Sequence, residues 1–155
     1  YLDEDEFKST WLGNKAIYRT RMAMADGGRL IIIGPGVRRF GEDDRVDALI
    51  RKYGYAGRER ILAQVRENED LRENLSAAAH LIQASPEGRF SVIYAAGKLT
   101  REEIEGVGFG YMPLEEALRL YDPAVLKDGP NTLSGEEIFY ISNPALGLWA
   151  AGENA

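Results

Sequence analysis

Residues 27–41, GGRLIIIGPGVRRFG, place the tightest limit on what this chain can fold into. Residues 30–33 are apolar without alternation, and three of the four are β-branched. A strand that alternates has one wet face, whereas a strand apolar at every position is buried on both. This one therefore reads as an inner strand of a covered, parallel sheet. It ends in a Gly-Pro-Gly turn that carries Arg38 and Arg39. That loop has three candidate roles: gripping a phosphate, orienting a carboxylate, or turning a corner.

The flanking segments fit the same architecture. Residues 14–25, NKAIYRTRMAMA, read as a helix with Ile17, Arg21 and Met24 on one side, stopped by Asp26, Gly27 and Gly28. Further helices are expected over 43–53, 57–67 and 71–84, the last with an alanine patch at 77–79. A turn over 85–88 leads to a strand at 90–94. Thr100 and Glu103 form a capping box, stapled by Leu99 and Ile104, and this is the sharpest local signal in the chain. A short strand near 107–111 precedes a helix beginning at Pro113. A short helical segment opens at Asp122 and Pro123, and a final strand covers 137–142.

Strands separated by helices cannot pair through hairpins. The expected fold is therefore α/β: a Rossmann-like three-layer sandwich with a mostly parallel sheet of four or five strands and helices on both faces. Four strands are recognisable, and one more before Tyr1 would complete the sheet. Residues 1–150 are expected to form a single domain, and 151–155 a flexible tail.

Composition narrows the function. At 155 residues the chain can bury a real core. With no cysteine it has no disulfide, no thiolate nucleophile and no Cys-based metal site. Its one histidine, His80, excludes a multi-His cage built from this chain alone. A net charge of −6 argues against nucleic acid as a partner. No apolar run is long enough to cross a bilayer, and no signal peptide opens the chain, so a cytoplasmic location without membrane contact is expected. The abrupt start at Tyr1 suggests a piece of something longer.

The loop GPGVRRFG lies where open α/β sheets bind ligands, beyond the carboxyl ends of strands. It matches neither phosphate motif. Arg39 stands where a dinucleotide fingerprint needs its third glycine, and the Gly-Lys-Ser/Thr of a Walker loop is absent. Pro35 also removes one backbone donor. Arg38 and Arg39 can instead meet a carboxylate, or simply be solvated beside Glu42, Asp43 and Asp44. Lys15 follows Gly13 and Asn14 at a helix start, against the preference of the helix dipole, so it is either held to grip an anion or is an ordinary surface lysine. His80, in an Ala-rich helix, reads as packed or surface-facing before catalytic. The pairs at 102–103, 115–116 and 136–137 are read as structural acids, the first two in helix first turns. The Asn74-Leu75-Ser76 sequon reads as lying inside a helix. Trp11 and Trp149, near opposite ends, read as exposed aromatics on a surface that another domain or subunit covers.

These blocks, taken together, resemble the C-terminal domain of the nickel-pincer lactate racemase (LarA-like) family, and within it the mannonate epimerase branch. The likeness rests on Lys15 and its helix leading into GGRLIIIGPGVRRFGED, on NLSAAAHLIQ followed by FSVIYAAGKLTREEIEGVGFGYMPLEEAL, and on the closing EEIFYISNPALGLW. The blocks occur in the family's order. The resemblance implies a two-domain racemase or epimerase of 2-hydroxy acids whose N-terminal domain holds the nickel-pincer nucleotide and the paired acid/base histidines. This chain would bind no cofactor and would be inactive alone. The implied chemistry is reversible hydride transfer: a histidine takes the hydroxyl proton, the C2 hydride moves to the cofactor, and the flat keto acid is reduced on its other face.

The family's substrate-contacting lysine falls on Lys15, with Asn14 beside it and Arg38 or Arg39 as secondary anion contacts. Its glutamine falls on Leu12 and its substrate-side tryptophan on Leu75. Both departures point away from lactate and toward a longer sugar acid such as mannonate. The implied partners are the chain's own N-terminal domain and a small hydroxy acid, with a homo-oligomer a further candidate. The alternative function is a nucleotide- or small-molecule-binding module without catalysis.

Overall fold

The computed structural model describes residues 1–152. The Ser9 side chain accepts from the Leu12 amide and caps α1 (Thr10–Gly13), and α2 (Lys15–Tyr18) follows at once. The single helix expected over 14–25 is thus two short turns. Tertiary bonds divert the rest of that segment. The Arg89 guanidinium donates to the carbonyls of Arg21 and Met24, and Arg21 donates to those of Gln83 and Ser85. Carbonyls engaged by distant arginines no longer support a continuing helix.

The chain continues through β1 (Arg29–Gly34), α3 (Asp44–Tyr53), α4 (Arg58–Glu67), α5 (Glu69–Arg72) and α6 (Leu75–Gln83). Asp43 caps α3 by accepting from the Val46 amide at 2.8 Å. Asn74 caps α6 through the Ala77 amide, which breaks the helix expected over 71–84 in two and puts the sequon at a cap rather than inside a helix. Next come β2 (Ser91–Ala96), α7 (Arg101–Gly106), β3 (Gly110–Tyr111) and α8 (Leu114–Leu120). Both bonds of the capping box at Thr100 and Glu103 are present. Pro113 is the N-cap of α8 instead of its first residue, and the segment after Asp122 is a turn.

The chain closes with β4 (Gly129–Leu133), β5 (Glu136–Tyr140) and a single 3-10 turn over Pro144–Leu146. Ser134 and Gly135, with φ of 51° and 83°, form the two-residue turn that matches strand twist and makes β4 and β5 an antiparallel hairpin.

The main sheet is parallel, in the order β1-β2-β3, with Arg29 to Gly34 in register with Ser91 to Ala96. It has three strands among the described residues, not the four or five expected, because the strand expected over 137–142 belongs to the hairpin. Helices do cover both faces. Ile32, Val92 and Tyr94 join the larger core with Ile17, Ile50, Ile61, Leu81 and Ile104. Ile33 and Ala95 pack on the other side with Ala117 of α8, Tyr1 and Tyr121. Of the expected flexible tail, residues 153–155 lie outside the described residues, and Ala151 is tied by its amide to the Met22 carbonyl at 3.2 Å.

Candidate functional site

The four anticipated site residues sit on two adjoining stretches of chain, 8–15 and 38–40. Residues 8–11 run beside 38–40: the Arg38 amide donates to Lys8, the Thr10 amide to Arg39, and the Trp11 amide to Phe40. One turn later the chain reaches Asn14 and Lys15. Lys15 is half-buried, and its ammonium has no ion-pair partner among the described residues. Arg38 is exposed and likewise unpaired among them. Arg39 is engaged, its Nη2 lying 2.9 Å from Asp44 Oδ1. A pair that exposed contributes about 1 kcal/mol or less, so an external carboxylate can compete for the guanidinium.

Asn14 lies beneath this surface. It is fully buried, and its Oδ1 accepts from the Tyr94 hydroxyl at 2.6 Å while its Nδ2 has no protein partner. Tyr94 stands in the middle of β2, so this bond fixes the start of α2 to the sheet. Because α2 is only four residues long, the dipole argument made for Lys15 has little hold. Its missing counter-ion is the stronger signal, and no sequence pattern reports it.

The glycine-rich loop is shaped by packing. A side chain at Gly36 would strike the Glu4 carbonyl, and one at Gly97 would strike that of Pro35, so backbone contact explains both glycines. Several of the loop's amides are also engaged. Val37 donates to Gly34 and Arg38 to Lys8, while Gly97 and Lys98 donate to the loop carbonyls of Gly34 and Val37. The amides of Phe40 and Gly41 both donate to Asp47 Oδ1, at 2.7 and 3.0 Å, and Arg51 binds Oδ2 at 2.7 Å. Burial alone raises the Asp47 pKa, but these bonds outweigh it and hold the carboxyl below its ordinary value. The amides of Phe40 and Gly41 are therefore taken by the protein's own carboxylate rather than offered to an external anion.

His80 is buried, stacked on Trp11 at 4.4 Å between centroids, with Nε2 2.7 Å from the Tyr55 hydroxyl. Tyr55 lies 3.0 Å from Thr10 Oγ1, which donates to the Phe40 carbonyl. Since the Thr10 proton goes to Phe40, Tyr55 must donate to Thr10 and His80 Nε2–H to Tyr55. That is a one-way chain for a neutral imidazole. Burial pushes the His80 pKa down to about 4. The packed reading of His80 holds, and its work is to tie α1 to α6. Neither tryptophan is exposed, contrary to expectation: both are half-buried, while the most exposed large apolar side chains are Leu146, Leu148, Val125 and Met22.

A further concavity lies between β1 and β5. It is a groove of about 700 Å³ walled by residues 29–33 and 136–141, with Ala16, Thr20 and Met24 along one side and Tyr1 at one end.

Among the described residues no helix is long and apolar enough to cross a membrane, and no group of three or more His, Asp or Glu converges as a metal site. No family model and no curated protein matches the chain. A crystal structure of a protein from Thermotoga maritima, a Northeast Structural Genomics Consortium target, is similar at 27% identity with a TM-score of 0.58. The match covers 79% of this chain and 30% of that one, so the chain spans less than a third of its structural neighbour.

Proposed function

We propose that this chain is the C-terminal domain of a racemase or epimerase of 2-hydroxy acids, with a sugar acid such as mannonate as substrate. On this reading the nickel-pincer cofactor belongs to the N-terminal domain. This chain's part is to bind and orient. The Lys15 ammonium neutralises the substrate carboxylate, and Arg38 supplies a second charge from the adjoining loop. Asn14, held by Tyr94, keeps the start of α2 in place from below.

The observation that carries the reading is Lys15: a half-buried lysine without a counter-ion, next to a residue pinned to the central strand. A cation in a shielded cleft is what fixes a carboxylate and polarises its neighbouring oxygen. The ordered sequence blocks and the greater length of the structural neighbour support a multidomain protein. Leu12 and Leu75, which stand where the family has polar or aromatic substrate contacts, are 41% and 63% exposed and so available to a facing domain. The nucleotide-module alternative is weakened by Asp47, whose carboxylate takes the amides of Phe40 and Gly41.

The test is turnover of aldonates and lactate by the full-length protein and its Lys15→Ala variant. The expected result is epimerisation of the longer acid, with kcat/KM lowered about 10-fold or more in the variant. Unchanged kinetics would remove Lys15 from the site.

A further inference from the structure

The groove between β1 and β5 is bounded by two strand edges. In a strand, backbone N–H and C=O groups point alternately to the two sides. The carbonyls of Gly28 and Gly34 accept from Ser91 and Gly97, so even-numbered residues of β1 face β2. Arg29, Ile31 and Ile33 therefore turn their backbone groups into the groove. In the hairpin, the two-residue turn makes Leu133 and Glu136 a hydrogen-bonded pair. Ile138 and Tyr140 thus face β4, whereas Glu137, Phe139 and Ile141 turn theirs into the groove. Pro130, opposite Phe139, has no N–H to offer and fits this register.

Tyr1 and Leu2 already use both edges. The Leu2 amide donates to Ile33 at 2.8 Å, and the Tyr1 nitrogen donates to Ile141 at 2.8 Å. Glu4 lies against Gly36, so the chain there runs alongside β1 in the same direction. At the far end, Arg29 and Glu136 approach to 3.9 Å, which makes β5 parallel to β1 as well. Burial lowers the pKa of the Tyr1 ammonium to about 6, so a charge is poorly accommodated at this point.

The geometry points to an additional parallel strand between β1 and β5, supplied by the segment that immediately precedes Tyr1 in the longer protein. This inference rests on the proposed function only in taking Tyr1 to be preceded by further chain. Residues upstream would pair alternately with Ile31 and Arg29 on one side and Phe139 and Glu137 on the other. About four residues at roughly 3.3 Å each fill the distance. The Tyr1 side chain packs with Ile33 and Ala117, while Leu2 joins the opposite core. A strand continuing that alternation is covered on both faces, so its residues should be apolar and free of proline.

The completed sheet would run β4-β5-new strand-β1-β2-β3. The crossovers through α1–α2, α3–α6 and α7 all lie on one face and step in one direction. The return through α8 crosses the other face in the reverse direction, so every crossover has the same hand, as the right-handed rule requires.

The experiment compares amide exchange in this chain with that in a chain carrying its native upstream residues. The N–H groups of Ile31, Ile33 and Phe139 should slow about 10-fold or more in the longer chain, with the upstream amides protected too. A proline placed just before Tyr1 should abolish that protection and leave the amides of Leu81 and Tyr94 protected. Upstream amides exchanging at coil rates, or groove protection that appears only as a second copy associates, would overturn the inference. The readout is independent of turnover: a paired strand in a protein without epimerase activity would refute the enzymatic reading alone.

Discussion

β1 has two edges with opposite fates. Along one, every inward backbone group meets β2, and the residues behind it join a core that includes the fully buried Ile32, Tyr94, Ile50 and Ile61. Along the other, only the Ile33 carbonyl is engaged, and the hairpin across the groove leaves Phe139 60% exposed. The strand is equally apolar toward both. The buried packing of the strand is therefore concentrated on the β2 side, and the groove side is the one the proposed additional strand would cover.

The contrast can be broken most forcefully by truncation. Ile61→Ala removes a fully buried side chain and should cost about 2–5 kcal/mol in urea unfolding. Phe139→Ala, an equally drastic change on the groove side, should stay within about 0.5 kcal/mol. Similar losses at the two positions would erase the distinction.

Acid sharpens it next. The pKa of His80 falls to about 4 in the fold against 6.5 ordinarily, so the unfolded chain binds the proton more readily. The His80 contribution should be constant above pH 6.5 and lower stability by roughly 3 kcal/mol as pH falls toward 4. His80→Gln should remove that component from the pH profile. The Tyr1 ammonium, lowered from 8.0 to about 6, behaves in the same sense on the groove side. Stability should decline by roughly 2–3 kcal/mol between pH 8 and pH 6. That slope should vanish once the nitrogen is a peptide amide in a longer chain.

A modest loss is expected from the cap of α7. Thr100→Ala should lower stability by about 1 kcal/mol, because it leaves the Glu103 amide without its acceptor.

Local signals in the sequence carried well where the cause was local. The helix expected at 43–53 is α3, the capping box is formed, and the apolar run is β1. They failed where the cause was distant. Residues 19–24 leave the helix because Arg89 and Gln83, more than 60 positions away, take part in their hydrogen bonding. β4 reads GPNTL, which has no strand periodicity and pairs only because the Ser134-Gly135 turn folds β5 back on it. At the candidate site, the residue types were legible but their depth was not. Nothing local shows that Asn14 is buried under Tyr94, that Asp47 takes the amides of Phe40 and Gly41, or that Lys15 has no counter-ion.

The most direct measurement is the exchange of neighbouring β1 amides in this chain by itself. Leu30 and Ile32 donate toward β2, whereas Ile31 donates into the groove. Ile31 should exchange about 100-fold faster than its two neighbours. Equal protection at all three would mean that the outer edge is already paired, and would contradict the difference between the two edges.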